Sequence, residues 1–238
     1  MQSDEPPQIT VLLPAYNEAP CIQRVVAGAL AHTPAPCEVV VIDDGSTDAT
    51  AVLAERAGAR VVRLGQNRGK GVAMREGFHA ARGDVIVLLD ADGQDDPAEI
   101  PTLLRALGPG VDMVVGSRFL GHFGEGAITP LNRAGNLFLT GALNVLFAQR
   151  MTDTLAGFKV IRRRAVQGLR FEARRYDIEV ELLIALLRTG AHVIEVPVHR
   201  GARAHGASHL HSFRDGARVL ARIVAMRLQG ASAISRAR

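Results

Sequence analysis

The chain has 238 residues, of which 47% are hydrophobic and 22% are charged. These values exclude wholesale disorder, and the length predicts one large domain with at most a small appendage. A net charge of only +4 with 4% aromatic residues argues against a nucleic-acid-binding protein.

The basic residues are almost all arginine, since Lys70 and Lys159 are the only lysines among 28 basic side chains. Arginine favours bidentate contacts with phosphate or carboxylate groups, so a phosphate-bearing partner or an anionic surface is expected. The two cysteines, Cys21 and Cys37, are too few for a disulfide scaffold and are expected to be buried apolar residues.

Residues 1–7 are polar and lack a signal-peptide pattern. No apolar run approaches the roughly 18 residues of a transmembrane helix. We therefore expect a cytoplasmic protein.

Short apolar runs alternate with helical patterns along the first half of the chain. Strands are predicted at 9–13, 39–42, 60–64, 85–89 and 113–115. Helices are predicted at 18–30, 47–57, 71–81 and 97–107, with Ser46 or Thr47 capping the second and Asp96 capping the fourth. This rhythm is typical of an α/β fold with a mostly parallel sheet covered on both faces, over about residues 8–120.

The second half is less regular. Residues 121–126 and 201–208 are predicted loops, 158–161 and 193–198 strands, and 131–148, 178–187 and 211–228 helices. The helix at 131–148 carries a polar stripe of Asn136, Thr140 and Asn144. The last helix has Arg214, Arg218 and Arg222 on one face and apolar residues on another. It could lie at a membrane interface, but packing on its own domain with a solvated arginine stripe is slightly favoured.

Polar residues follow each predicted strand, where ligands bind in an open α/β sheet. Asp90 and Asp92, with Gln94 on the same turn, could hold a hard cation or only end the strand, and the two interpretations weigh about equally. Asp95 and Asp96 are expected only to end the strand and cap the next helix.

Three further patterns are weak when taken alone. Asp43 and Asp44 are more typical of a turn than of carboxylates that accept hydrogen bonds from a base or ribose. Residues 67–71 resemble a phosphate cradle but do not have the spacing of a Walker A loop. The arginines in or near loops are each expected to be solvated surface residues: Arg118, Arg133, Arg200 and Arg203.

Together, six segments occur in the order of a known family: 11–18 (VLLPAYNE), 41–48 (VIDDGSTD), 67–71 (NRGKG), 90–94 (DADGQ), 116–119 (GSRF) and 153–159 (DTLAGFK). Over about residues 8–210 the chain resembles glycosyltransferase family 2. Within that family it looks most like the dolichyl- or polyprenyl-phosphate mannose or glucose synthases.

The resemblance implies a single GT-A domain. A nucleotide-sugar-binding half would cover about 8–120, an acceptor half 121–210, and a C-terminal amphipathic helix and tail 211–238. It implies inverting transfer of a hexose from GDP-mannose or UDP-glucose to a polyprenyl or dolichyl phosphate, with Mg²⁺ or Mn²⁺ as cofactor. The enzyme would be peripheral at the inner face of the membrane, alone or with a separate membrane partner.

The resemblance also implies roles for individual residues. Pro14, Tyr16, Glu18 and Asp43 would hold the base and ribose, Asp90 would orient the donor, and Asp92 and Gln94 would bind the cation. Arg203 would contact the diphosphate, and Arg118 and Arg133 would receive the acceptor phosphate. Asp44, Lys70, Ala91 and His209 complete the nucleotide-sugar set.

The segment 203–209 departs from the family pattern, because His209 stands where lysine is usual. With an unperturbed pKa of about 6.5, a histidine is only partly charged at neutral pH. Two other hypotheses remain open. One is a saccharide or other hydroxyl acceptor, with Asp153 or a loop acid as base, and the other is a non-catalytic nucleotide-sugar-binding protein.

Overall fold

The computed structural model describes residues 6–203 and 212–230. The strands of these residues are Ile9–Ala15 (β1), Cys37–Asp43 (β2), Arg60–Arg63 (β3), Val85–Leu88 (β4), Met113–Phe123 (β5), Lys159–Arg162 (β6) and Val193–Arg200 (β7). The helices are Ala19–His32 (α1), Thr50–Arg56 (α2), Lys70–Ala80 (α3), Ile100–Ala106 (α4), Pro130–Phe147 (α5), Arg163–Val166 (α6), Ile178–Arg188 (α7) and Ser212–Leu228 (α8).

The strands form one sheet in the order β3-β2-β1-β4-β6-β5-β7. Strand β6 pairs antiparallel with both β4 and β5, and the other pairings are parallel. This arrangement confirms the predicted α/β fold with a mostly parallel sheet. It also brings the carboxyl ends of six strands to one edge, where the loops of the candidate site lie.

Alternate side chains of the central strands enter two separate apolar cores. Leu12 packs into the core on one face of the sheet, whereas Val11 and Leu13 pack into the core on the other face. Because successive strand residues point to opposite faces, a sheet covered on both sides needs continuous apolar strands. Each fully buried Val or Leu contributes about 1.5–3 kcal/mol.

Strand β5 extends much further than predicted, through residues that were expected to form the 121–126 loop. Beyond an irregularity in register, His122 and Phe123 pair with His199 and Arg200 of β7. Gly121 permits this close approach, because a Cβ there would lie only 2.0 Å from the carbonyl oxygen of Val198. The prediction of a loop at 121–123 was therefore wrong. The glycine-rich local sequence is typical of a loop, and the pairing with the distant strand β7 cannot be seen in it.

The predicted caps had different outcomes. Asp96 accepts a hydrogen bond from the N–H of Ala98 and caps a 3₁₀ turn at Pro97–Glu99, which confirms the prediction. Helix α2 begins at Thr50 instead of residue 47, and neither Ser46 nor Thr47 caps it. Their side chains bond to Asn17 instead and so tie the loops after β1 and β2 together.

Helix α8 packs on its own domain through Val219, Ile223 and Met226, which are buried. Two arginines of the expected solvated stripe, Arg218 and Arg222, form ion pairs instead of being only solvated. Arg222 lies 3.1–3.6 Å from three carboxylates of the α7 region, and Arg218 pairs with Asp215.

No helix within the described residues is long and apolar enough to cross a membrane. Cys21 is buried, and Cys37 is half-buried.

Candidate active site

A cavity of about 1140 Å³ opens at the carboxyl edge of the sheet. It is lined by most of the predicted site residues, namely Pro14, Tyr16, Glu18, Asp44, Lys70, Asp90, Ala91, Asp92, Gln94, Arg118 and Arg203. Asp43 and Arg133 are not among the residues that line it. His209 lies outside the described residues, as does most of the predicted 201–208 loop.

Asp90, just beyond β4, is held by two cations. Its Oδ1 lies 2.6 Å from Lys70 Nζ, and its Oδ2 lies 3.7 Å from Arg200 Nη1. Burial alone would raise the pKa of Asp90, but Lys70 and then Arg200 outweigh burial and hold it below its usual range. A Cβ at Gly157 would lie 2.6 Å from Asp90 Oδ2, so the 153–159 segment must carry glycine there.

A buried charge network behind Asp90 was not predicted from sequence. Lys70 also lies 2.7 Å from Glu179 of α7, and the other oxygen of Glu179 accepts a hydrogen bond from the fully buried Lys159. Burial lowers the pKa of Lys70, but Asp90 and Glu179 outweigh it and raise that pKa. Lys70 therefore carries its charge at the floor of the cavity.

Asp92 faces the cavity between two arginines. Its Oδ1 accepts a hydrogen bond from the N–H of Gln94, and its Oδ2 lies 3.6 Å from Arg200 and 3.7 Å from Arg203. The side chain of Gln94 is bonded within the protein, because its Oε1 accepts from Arg200 and its Nε2 donates to the carbonyl of Gly201.

Two expectations about this edge were wrong. Asp95 does not merely end the strand, because it is buried and lies 2.7 Å from Arg200 Nη1. Arg200 is not a solvated surface arginine. Strand β7 continues two residues past its predicted end, and this extension carries Arg200 into the cavity wall.

The oxygen donors at Asp92 fit a hard divalent cation. Within the described ranges, no group of three or more His, Cys, Asp or Glu side chains could hold a metal ion. Mg²⁺ and Mn²⁺, however, commonly take one or two protein carboxylates together with substrate phosphates and water. The carboxylate of Asp92 meets that need, whereas the side-chain oxygen of Gln94 is shared with Arg200.

The loops after β1 and β2 form the other end of the charged region. Glu18 Oε1 lies 2.5 Å from Arg203 Nη2, and burial raises the pKa of Glu18 to about 7 despite that partner. Asp44 accepts hydrogen bonds from the N–H groups of Arg68 and Gly69, so it fixes the loop before α3. Asp43 accepts from the N–H of Ser46, as expected of a turn residue.

Arg118 and Arg133 have different surroundings. Arg118 is buried, and its Nε and Nη2 donate to the carboxylate of Asp153 at 2.6 and 2.7 Å. Asp153 is fully buried behind that pair, an arrangement that does not favour it as a base for a hydroxyl acceptor. Arg133 is exposed, with its guanidinium 5.8–5.9 Å from the ring centres of Phe119 and Phe123.

The cavity continues from this charged centre along an apolar wall formed by α5 and α8. The wall includes Leu131, Phe138 and Leu139 of α5 and Phe213 and Leu220 of α8. Sequence reasoning named neither this wall nor the lining residues Arg175, Tyr176 and Glu179, and it placed Arg200 at the solvated surface. None of these residues lies in the six recognised segments, so no local signal marked them as part of the site.

Comparison with known proteins agrees with this geometry. Residues 10–170 match the family described as glycosyl transferase family 2. The chain therefore belongs to that family of sugar-transferring enzymes, as the six segments predicted. Several relatives are longer, and the chain spans only 52% and 59% of two of them.

Two relatives from Haloferax volcanii illustrate the similarity. The chain is 33% identical to glycosyltransferase AglJ, over 89% of this chain and 69% of that protein. It is 31% identical to a dolichyl-phosphate hexose transferase, over 93% of this chain and 94% of that protein.

A solved structure confirms the predicted GT-A fold. Glucosyl-3-phosphoglycerate synthase from Mycobacterium tuberculosis, in complex with Mn²⁺, UDP-glucose and phosphoglyceric acid, superposes with a TM-score of 0.75. The two sequences are 27% identical, over 93% of this chain and 80% of that chain.

Proposed function

We propose that the protein transfers a hexose from a nucleotide diphosphate sugar to the phosphate of a polyprenyl or dolichyl phosphate. The observation that carries this proposal is that one cavity is lined both by a charged centre and by an apolar wall. An acceptor that matches both ends is amphiphilic, with an anionic head and a hydrocarbon chain.

The apolar wall favours a lipid over a sugar acceptor. Leu131, Phe138 and Phe213 are 53%, 64% and 81% exposed. Covering such side chains with hydrocarbon stabilises a complex by roughly 25 cal/mol per Å² of apolar area, whereas a saccharide hydroxyl gains nothing from them. Contiguous exposed apolar residues commonly mark a ligand or membrane contact. The same wall supports peripheral binding to a membrane, and the proposal places that binding at the cytoplasmic face, alone or with a membrane partner.

The charged centre suits the donor. In this proposal, the nucleoside is contacted by Pro14, Tyr16, Glu18 and Asp44, while Asp43, predicted as a further contact, fixes the turn after β2. Lys70, Asp90 and Ala91 orient the sugar. Arg203 contacts the diphosphate with His209. Asp92 would hold Mg²⁺ or Mn²⁺, with Gln94 beside it. A bound divalent cation stabilises the negative charge that grows on the leaving diphosphate.

The proposed transfer is a single displacement with inversion. An oxygen of the acceptor phosphate forms a bond to the anomeric carbon while the bond from that carbon to the diphosphate oxygen breaks. The nucleoside diphosphate leaves with the bonding electron pair. A phosphate acceptor is already anionic at neutral pH, so no general base is required. Arg118 and Arg133 would then serve to position the acceptor phosphate.

One relative supports this proposal, and one structural neighbour suggests an alternative acceptor. The relative is named a dolichyl-phosphate hexose transferase and matches along nearly its whole length. The structural neighbour instead holds a small phosphorylated acceptor, phosphoglyceric acid. The second candidate function is therefore transfer to a water-soluble phosphate compound, which would use the charged centre and leave the apolar wall unused.

Labelled transfer distinguishes these functions. The protein is incubated with radiolabelled GDP-mannose or UDP-glucose and farnesyl phosphate, 3-phosphoglycerate or a free saccharide, with and without Mn²⁺. We expect label to move into organic solvent only with farnesyl phosphate and a divalent cation. Label in a water-soluble product would contradict the lipid acceptor, and donor binding without any turnover would favour the non-catalytic hypothesis.

A further inference from the structure

The cations that line the cavity differ in whether a carboxylate neutralises them. Four of them have a carboxylate oxygen at 2.5–2.7 Å. The pairs are Lys70 with Asp90, Arg118 with Asp153, Arg200 with Asp95 and Arg203 with Glu18. An anionic ligand that used any of these groups would have to share it with an internal partner.

Arg175 lines the same cavity and has no such partner among residues 6–203 and 212–230. In the part of the chain that the structure describes, no carboxylate lies within 4.0 Å of its guanidinium nitrogens. The neighbouring Arg174 is also exposed but is not among the residues that line the cavity. The two adjacent arginines therefore differ in their position relative to the cavity, since both are exposed and only Arg175 lines it.

The backbone that carries Arg175 is fixed at several points. The carbonyl of Arg174 accepts a hydrogen bond from the N–H of Gly71, and the N–H of Arg175 donates to Asp177 Oδ1. The N–H of Ala173 donates to the carboxylate of Glu181 at 2.7 Å. This segment is thus held against the start of α3 and the first turn of α7.

The side chain of Arg175 begins beside the charged centre. A Cβ built on Gly69 would lie 3.4 Å from Arg175 Cγ, so the stem of the arginine passes over the residue that precedes Lys70. The next residue, Tyr176, also lines the cavity. The Arg175 guanidinium is thus carried by a fixed stretch of backbone at the wall of the cavity, and it shares no ion pair with the described residues.

We infer that Arg175 binds the phosphate group of the acceptor. The inference rests on the proposed function, since it requires an acceptor that carries a phosphate. The planar fork of a guanidinium matches two phosphate oxygens, and no ion pair with a described residue must be broken to free it. The shared chemistry is a phosphate monoester, whether a prenyl chain or a small soluble group bears it.

The test compares Arg175→Ala and Arg175→Lys with the matched control Arg174→Ala. Initial rates are measured against farnesyl phosphate and against 3-phosphoglycerate at saturating donor, and against donor at saturating acceptor. Arg175→Ala should raise the acceptor KM at least about tenfold, the loss expected for a hydrogen bond to a charged group. Its kcat and donor KM should stay within about twofold, Arg175→Lys should be intermediate, and Arg174→Ala should match the wild type.

The outcomes distinguish this inference from the proposed function. If the wild type uses only 3-phosphoglycerate and Arg175→Ala raises the KM for it, Arg175 binds the acceptor phosphate as inferred, but the lipid acceptor is overturned. If the wild type uses farnesyl phosphate and Arg175→Ala leaves the acceptor KM unchanged, the proposed role of Arg175 is overturned and the lipid acceptor is not. An effect of Arg175→Ala confined to the donor KM or to kcat would also overturn that role. Failure of the wild type on both phosphate acceptors overturns the two proposals together. Thermal unfolding of each variant verifies that it is folded.

Discussion

Asp92 and Asp96 stand four residues apart, and the structure gives them different surroundings. Each accepts a hydrogen bond from the backbone N–H two residues further on, Asp92 from Gln94 and Asp96 from Ala98. Only Asp92 lines the cavity, and only Asp92 has arginines within 4 Å. A comparison of variants at Asp92 and Asp96 therefore distinguishes the effect of a carboxylate in the cavity from the effect of the turn hydrogen bond that both residues make.

Asp92→Asn should reduce divalent-cation-dependent transfer by about 100-fold or more, because it removes the charge that, in the proposed function, would hold the cation at the leaving diphosphate. The asparagine can still accept the hydrogen bond from Gln94, so stability should change little. The measurement is kcat against Mn²⁺ concentration, with chelation of the metal as a reference.

The matched control is Asp96→Asn, which also preserves a helix-capping group. Its rate should stay within about twofold of the wild type at every Mn²⁺ concentration. An Asp92→Asn enzyme with full activity, or an equal loss in both variants, would overturn the metal role of Asp92.

Sequence reasoning recovered the residues that directly follow strands and missed those that reach the site from a distance. Asp90 and Lys70 were predicted because strand ends and a glycine-rich loop mark them locally. Arg200 pairs with Asp95 across 105 residues of sequence, and Glu179 joins Lys70 to the buried Lys159. Such burial and pairing depend on the assembled sheet, so an isolated arginine or glutamate gives no local sign of them.

At the scale of elements, the polar stripe of α5 serves packing inside the domain. Asn144 donates to the carbonyl of Met151 at 2.8 Å and accepts from its N–H at 2.9 Å. Thr140 is buried and shares a hydrogen bond with Thr154. The stripe therefore holds the segment before β6 against α5, and only Asn136 of the three lines the cavity.

Asn144→Ala should lower the free energy of unfolding by about 1–3 kcal/mol, because it leaves both backbone groups of Met151 without their partner. Asn136→Ala, two turns earlier on the same helix, should change it by no more than about 0.5 kcal/mol. Urea unfolding of both variants measures the difference. Equal stabilities would show that the Asn144 contacts contribute nothing to the packing of α5.

The element boundaries show why part of the fold could not be predicted. Helices α5 and α7 were found to within about two residues, because their periodic apolar faces are long. The end of β5 and the start of α2 were missed. Both depend on distant partners, β7 in one case and Asn17 in the other.

At the scale of the whole molecule, the cavity joins parts of the chain that are far apart in sequence. The sheet edge supplies the charged centre, and α5 and α8 supply the apolar wall. The six recognised segments predicted the first part. The second could not be predicted, because each helix alone is only amphipathic and the wall exists only where the two helices pack together.

The measurement that tests this account most directly is the dependence of transfer on the chain length of the acceptor. The value of kcat/KM is compared for prenyl phosphates of five, ten and fifteen carbons at saturating donor. If the acceptor chain lies along the wall, each added isoprene unit should raise kcat/KM by about tenfold, a fraction of the full transfer free energy of its carbons.

Phe138→Ala should flatten this dependence, because Phe138 lines the cavity. Val145→Ala is the matched control, since Val145 is 83% exposed on the same helix but does not line the cavity. The account predicts a steep dependence on chain length in the wild type and in Val145→Ala, and a shallow one in Phe138→Ala. A kcat/KM that is independent of chain length in the wild type, or an equal change in both variants, would contradict it.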